Sequence, residues 1–293
     1  MTVDTPVVAV ITIAHGRHDH LRGQVAGLTG GTRVPDLHVV GAMDDPDAGR
    51  LLREAWGPGT SPAVVVDVPA DPRGLPLAAA RNRAAAEATA RGADHLIFLD
   101  VDCIPGPRTV AAYAQALTDP RPALVPPAVL GGDVAYLSPL PPGQRDWTAP
   151  ADLARLPDVG QHRPDRVVLE PGEIRPEPDL TRFWSLSFAM TVPDFWATGG
   201  FCTDFVGYGG EDTDFAQMVG ARGGSLTWVG GATAYHQHHP SPSPPLDQLE
   251  SVVRNAGVFA DRWGWWPMEG WLEGFRERGL AAPDEGGRWQ VTA

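Results

Sequence analysis

Lysine is absent from the 293-residue chain: its sequence holds 23 basic residues, all of them arginine, against 36 acidic ones, for a formal charge of −13. A deficit of cations on this scale argues against a phosphate-backbone partner, because nucleic-acid binding rests on clustered positive charge that releases counterions. Cysteine is scarce too. Cys103 and Cys202 are too few for a disulfide framework and form no CxxC pair, so both are expected to be reduced thiols. No apolar run approaches the roughly 18 to 20 residues of a membrane helix, and Met1 to Pro6 lacks the charged-then-apolar pattern of a secretory signal. These absences lead us to expect a cytoplasmic protein with no membrane span. What remains is 43% hydrophobic and 20% charged, the composition of a globular chain with one substantial core or two closely joined ones. The abundance of Ala, Gly, Pro and Arg is a compositional bias rather than a functional device.

The pattern along the chain is that of an α/β protein. Val7 to Ala14 is continuously apolar and β-branched, as for a strand buried on both faces of a parallel sheet. A helix is expected over His18 to Leu28, a strand over Leu37 to Ala42 running into the acidic turn Met43-Asp44-Asp45-Pro46, a strand over Ala63 to Val68, an Ala-rich helix over Leu77 to Arg91, and a strand over His95 to Leu99. Alternation of this kind implies right-handed βαβ units with ligands gathered at the carboxyl ends of the strands. From Pro120 to Pro178 the chain is rich in Pro, Gly and Asp with only short apolar runs at Ala123 to Val125 and Arg166 to Leu169, which reads as an irregular functional insertion. Beyond it we expect a strand in Arg182 to Thr191, a short helix from Asp194, a helix over Asp212 to Arg222, a strand over Ser225 to Val229 and a helix over Leu246 to Trp263.

Three constellations carry chemistry. Asp100-Val101-Asp102 follows a buried strand, and in an extended chain alternate residues share a face, so the two carboxylates would converge on a cation and its phosphates. A helix-capping Asp is the bland alternative. Gly209-Gly210-Glu211-Asp212-Thr213-Asp214 places three acids in four positions at a helix start, more than capping requires, behind glycines that allow close approach of a ligand. Tyr235-His236-Gln237-His238-His239-Pro240 offers imidazoles, and imidazole combined with carboxylate suits Mn²⁺ better than Ca²⁺. Trp184, Trp196, Tyr208 and the cluster Trp263, Trp265, Trp266 offer apolar faces to sugar rings, with core packing or a subunit contact at least as good a reading of the last three.

In this order the three elements resemble the GT-A glycosyltransferases, specifically the inverting family 2 whose second half is similar to β-1,4-galactosyltransferases and polypeptide N-acetylgalactosaminyltransferases. The likeness is strongest from Gly199-Gly200-Phe201 to Asp214, which looks like that family's GGF…WGGED stretch with Tyr208 in place of Trp. Val8 to Leu21, with Arg17 and His20-Leu21, is similar to the galactosyltransferase first strand and its exit. The sequence departs from the family around Ser185-Leu186, where a Gly-Gly pair is usual.

The resemblance implies a Rossmann-like, mostly parallel central sheet flanked by helices, with a Pro-rich insertion and a helical C-terminal tail. It divides the chain into a nucleotide-sugar half (1–119), the insertion (120–181), an acceptor and catalytic half (182–240) and a lid with helical tail (241–293). The activity implied is metal-dependent, inverting transfer of a hexose or N-acetylhexosamine from a nucleotide diphosphate, UDP first among them, to an acceptor hydroxyl, with Mn²⁺ or Mg²⁺ as cofactor. Arg17, Asp44 or Asp45, Arg81 and Asp100 would meet the donor. Asp102 would bind the metal with His236, while His238 and His239 stand as alternative ligands. Asp212 would be the base and Glu211 an orienting group, with Trp184, Tyr208, Gly209 and Gly210 facing the acceptor or sugar. The rival expectations are a sugar-nucleotide pyrophosphorylase, for which Ala14-His15-Gly16-Arg17-His18 makes a poor phosphate loop, and a non-catalytic sugar- or nucleotide-sugar-binding protein, which needs neither acidic pair.

Overall fold

The structure, a computed structural model, describes residues 5–57, 63–119, 124–141, 143–144, 146–166 and 168–292. The chain opens with β1 (Val8–Ala14), α1 (His18–Thr29), β2 (Leu37–Met43), α2 (Ala48–Trp56), β3 (Ala63–Val68), α3 (Leu77–Ala90) and β4 (His95–Leu99). After a short β5 (Cys103–Pro105) come α4 (Thr109–Thr118), β6 (Ala128–Tyr136), two brief helices α5 (Pro150–Ala154) and α6 (Leu156–Val159), β7 (Gln161–His162) and β8 (Ile174–Glu177). The second half holds β9 (Ser187–Thr191), α7 (Val192–Thr198), α8 (Glu211–Ala221), β10 (Ser225–His236), α9 (Leu249–Trp263) and α10 (Glu269–Glu277), and it ends in a hairpin of β11 (Ala281–Pro283) and β12 (Trp289–Val291). Among the described residues no helix is long and apolar enough to cross a membrane.

The central sheet runs β3-β2-β1-β4-β9-β6-β10-β5, with β7 and β8 attached to β6 and β10. The first four strands are mutually parallel, β9 runs antiparallel between β4 and β6, and β10 lies parallel to β6. Both faces are covered, which is why β1, β2 and β4 are buried at every residue and read as nearly continuous apolar runs. One face packs on Leu21, Val25 and Leu28 of α1 and on Val110 and Tyr113 of α4; the other packs on the alanines of α3 and on Phe195 and Phe215 of α7 and α8. That second layer is an aromatic core, with Phe98 stacked on Phe188 at 4.4 Å and Phe201 stacked on Phe215 at 4.3 Å.

Strand β6 and the start of β9 differ from expectation. The Pro- and Gly-rich stretch after α4 carries a nine-residue strand, β6, inside the sheet. Its glycines hide it in the sequence. A Cβ at Gly131 would strike the indole of Trp228, and one at Gly132 would strike the Ala232 carbonyl and the Tyr113 hydroxyl, so close approach and not turn formation places glycine here. Strand β9 begins at Ser187 rather than Arg182, because Leu180–Arg182 forms a single 3₁₀ turn capped by the Asp179 carboxylate, which accepts from the Thr181 amide. The runs Ala123 to Val125 and Arg166 to Leu169 fall partly outside the described residues.

Phe188 is fully buried between Phe98 and the edge of Phe183. Phe188→Ala is therefore expected to cost about 3 to 5 kcal/mol of folding stability. Denaturant unfolding checks this, and a loss below about 1 kcal/mol would show that the aromatic layer does not hold the two halves of the sheet together.

Candidate functional site

At the carboxyl end of β4 the sheet ends in Asp100-Val101-Asp102, which is a turn and not extended chain: the Cys103 amide donates back to the Asp100 carbonyl at 2.8 Å. The expected alternation of carboxylates on one face is therefore replaced by a reversal that sends them to different partners. The turn is clamped from inside. The buried Gln24 of α1 donates to the carbonyls of Asp100 at 2.8 Å and Cys103 at 3.1 Å while accepting from the Thr12 hydroxyl, and the Gln237 amide donates to the Asp102 carbonyl at 2.7 Å. Neither glutamine is an expected site residue. Their signal in the sequence is weak, since Gln24 is a polar residue on the same helix face as Leu21, Val25 and Leu28, where a core position is anticipated.

Asp102 faces one guanidinium and two imidazoles. Its Oδ2 lies 2.7 Å from Arg17 Nη1, 3.3 Å from His239 Nε2 and 3.6 Å from His236 Nε2. Burial alone would disfavour the Asp102 carboxylate, but the His239 hydrogen bond and the charges of His236 and Arg17 outweigh it and hold its pKa down at about 2. His236 moves the other way, below the ordinary imidazole range, because it is desolvated at the end of β10 against the Tyr136 ring. Asp102, His236 and His239 bring one oxygen and two nitrogen donors within 4.8 Å of one another. A desolvated neutral imidazole and an ionised carboxylate are the protonation states a metal requires, so this donor set fits a borderline divalent ion such as Mn²⁺. His238 does not join: it is exposed, on the opposite side of the chain from Gln237, whose buried side chain ties the segment to the His20 carbonyl. The histidines brought together with Asp102 are 236 and 239, and β10 runs on through His236 rather than stopping at Val229.

The first loop is shaped to present Arg17. The Asp45 carboxylate accepts from the Gly16 amide at 2.9 Å and contacts His18 Nε2 at 3.0 Å, and Arg17 takes a left-handed backbone with φ 49°. Asp45 is thereby a buried brace, whereas Asp44, also left-handed at φ 47°, is exposed at the same edge.

On the other flank, Arg81 of α3 has a side chain only 4% exposed and bridges Asp100 at 2.9 Å and Glu211 at 3.2 Å. Glu211 opens α8 behind Gly209 and Gly210, both left-handed, with φ 94° and 89°. Asp212 is less buried than Glu211, and its Oδ1 accepts from the Thr213 amide at 2.7 Å. Burial raises the pKa of both residues. Glu211 is pushed up to about 7, first by desolvation and then by the neighbouring Asp212 charge, with Arg81 opposing. Asp100 is likewise raised by burial against the pull of Arg81. The third acid of the run, Asp214, plays a structural part. It is buried and accepts from Arg262 Nε at 2.6 Å and Trp263 Nε1 at 2.8 Å, pinning the end of α9 to α8. Tyr208 stacks on Trp271 of α10 at 5.6 Å, and Asn255 of α9 donates to the Gly209 carbonyl at 2.9 Å, so the C-terminal helices support the glycine turn. Trp184 lies beside the site with Arg163 over its ring at 4.5 Å. Trp196 does not approach it: its Nε1 donates to Thr89 Oγ1, about two helical turns along α3 from Arg81.

Solved structures share this architecture. A crystal structure of GalNAc-T7 with UDP, GalNAc and Mn²⁺ superposes with a TM-score of 0.58 at 15% identity, covering 94% of this chain and 55% of that one. The mannosyltransferase PcManGT from Pyrobaculum calidifontis, in complex with GDP-Man and Mn²⁺, gives 0.53 at 17%, covering 90% and 67%. The fold is that of the GT-A glycosyltransferases. Residues 169–240 match the family model described as the N-terminal domain of galactosyltransferase. Two curated relatives are named validoxylamine A glucosyltransferase. The one from Streptomyces hygroscopicus subsp. limoneus is 28% identical over 248 residues, which is 71% of this chain and 53% of the relative. The one from Streptomyces hygroscopicus subsp. jinggangensis is 31% identical over 166 residues, 53% of this chain and 37% of the relative. The chain thus spans about half or less of the length of these relatives.

A raised Glu211 leaves a mark on stability. Its ordinary value is 4.5 and its folded value about 7, so between those pH values the unfolded chain holds fewer protons than the folded one, and this group makes stability fall as pH rises. Glu211→Gln removes that contribution. The decline in melting temperature between about pH 5.5 and about pH 8 is expected to be shallower in the variant, and parallel declines would show that Glu211 is ionised throughout against Arg81.

Proposed function

We propose that the chain is a metal-dependent, inverting glycosyltransferase that moves a hexose or N-acetylhexosamine from a nucleotide diphosphate, UDP in the first instance, to an acceptor hydroxyl. The observation that carries the reading is the gathering at one sheet edge of a metal-competent Asp102–His236–His239 group and a desolvated Glu211–Asp212 pair, joined through Asp100 and Arg81. The names of the relatives, both glucosyltransferases, and of the structural neighbours, held with UDP or GDP-Man and Mn²⁺, support it.

Bound there, Mn²⁺ or Mg²⁺ would act as a Lewis acid on the diphosphate leaving group. The residues of the chain supply the rest. Asp102, His236 and His239 would hold the ion. Arg17, 39% exposed at its side chain and paired with Asp102, is free to turn from that carboxylate to the donor phosphates. Asp44 stands exposed where a base or ribose would enter, and Arg81 keeps Asp100 oriented towards the same space. Asp212 is the base. Of the two acids at the start of α8 it is the one with access, whereas Glu211 is committed to Arg81 and serves to fix the turn. Desolvation raises the proton affinity of Asp212, which favours taking a proton from the acceptor hydroxyl. One base facing the carbon opposite the leaving phosphate implies direct displacement with inversion. Trp184, Tyr208, Gly209 and Gly210 border the space for the sugars.

Two variants separate catalysis from mere donor binding. Asp102→Ala is expected to abolish metal-dependent UDP binding in calorimetry. Asp212→Asn should leave that binding within a few-fold and the melting temperature unchanged, while turnover of the donor falls on the order of 10² or more. Near-wild-type turnover of Asp212→Asn would refute its role as base. UDP affinity that survives complete metal removal would refute the metal-dependent reading.

A further inference from the structure

Beside the acidic edge lies a solvent-open hollow whose chemistry is the reverse of the chain's overall charge. Four arginines, Arg163, Arg166, Arg175 and Arg182, line it together with the rings of Trp184 and Trp228. In a chain with 23 basic residues and a formal charge of −13, four guanidinium groups around one hollow are a local departure that packing does not require. Two of the four are already paired, Arg163 with Asp165 at 2.9 Å and Arg182 with Glu177 at 3.0 Å. Arg166 and Arg175 make no ion pair among the described residues, and Arg166 Nη1 is buried with no hydrogen-bond partner among them.

The aromatic walls hold these cations in place. Arg166 lies 4.8 Å from the centroid of Trp228 and 5.1 Å from that of Trp184, and Arg163 lies 4.5 Å from the latter. Burial, and then the like charge of Arg182, pulls Arg166 below the usual guanidinium range, a strain that an anion in the cavity would relieve. The carboxylate on the wall, Asp133, places one oxygen 2.6 Å from His162 Nδ1, while its buried Oδ1 has no partner among the described residues. An unpartnered carboxylate oxygen suits a sugar hydroxyl, an indole face suits a pyranose ring, and paired guanidinium groups suit a phosphate or carboxylate.

The cavity also adjoins the proposed site through its walls. Trp184 directly precedes Ser185, whose backbone contacts the Asp212 carboxylate, and Tyr136 on its wall packs 5.0 Å from the His236 ring. We infer that this cavity is the acceptor subsite and that Arg166 and Arg175 select an acceptor sugar bearing an anionic group, a carboxylate or a phosphate. This rests on the transferase reading above, since a cavity next to the base is where an acceptor must sit.

Binding tests it without any transfer. Glucuronic acid, glucose 6-phosphate and neutral glucose are titrated calorimetrically into the protein with chelator present and no nucleotide. The anionic sugars are expected to bind at least about tenfold more tightly than glucose, the tighter of the two identifying the anion. Arg175→Gln, at a half-buried position outside the stack, and Arg166→Gln should each remove about tenfold of that preference, with melting temperatures close to that of the parent. Equal affinity for all three sugars would overturn the inference. So would anion binding that both variants retain, which places the anion outside this cavity, or that UDP with Mn²⁺ displaces, which places it in the donor site. A protein that shows the preference yet transfers to no acceptor would keep the anion subsite and sink the transferase reading instead.

Discussion

Too many carboxylates meet at one edge of the sheet for the cations that face them. Asp100, Asp102, Glu211 and Asp212 are gathered at the carboxyl end of β4 and the start of α8, and among the described residues only Arg81 and Arg17 answer them with arginine ion pairs. Desolvation makes the imbalance costly, and it emerges as raised pKa values at Asp100, Glu211 and Asp212. Stable folded chains do not collect buried acids in this way for strength alone, because an unpaired buried charge is destabilising. A divalent cation beside Asp102 would restore the balance, and an anionic donor would then bind to an acidic protein. The remaining local structure follows from holding that edge: Gln24 and Gln237 clamp the turn, Asp45 braces the loop of Arg17, and Asp214 anchors the C-terminal helices behind the glycine turn.

Much of this is legible in the sequence where one physical rule dominates. Strands β1, β2 and β4 are buried on both faces, so their apolar runs mark them within about a residue of their ends, and β3 is marked by the same β-branched pattern. Helix α3 is written in alanine because it packs tightly on β1 and β2, and Arg81 interrupts it where the sheet edge needs a cation. The acidic start of α8 and the histidine run at the end of β10 are visible as unusual local densities of ionisable residues.

What the sequence conceals depends on contacts between distant segments. Strand β6 is hidden because its glycines answer to Trp228, Ala232 and Tyr113, residues that periodicity cannot see. The geometry of Asp100-Val101-Asp102 escapes a reading of the sequence because a three-residue motif does not disclose whether it extends a strand or reverses it; the hydrogen bond from Cys103 decides. Spacing alone leaves three candidate histidines, and the choice of 236 and 239 comes from Gln237, whose side chain is drawn inward and turns His238 out. The arginine-lined cavity is invisible along the chain because its members are scattered from Gly132 to Thr233, many of them in a stretch that looks irregular.

We propose that the charge imbalance at this edge serves to bind a metal with a nucleotide diphosphate. Anomalous diffraction from crystals grown with Mn²⁺ and UDP addresses it most directly. One strong manganese peak bounded by Asp102, His236 and His239 is expected, with Arg17 turned from Asp102 towards the diphosphate. A peak elsewhere, or UDP bound at this edge with Arg17 still on Asp102 and no manganese between them, would contradict it.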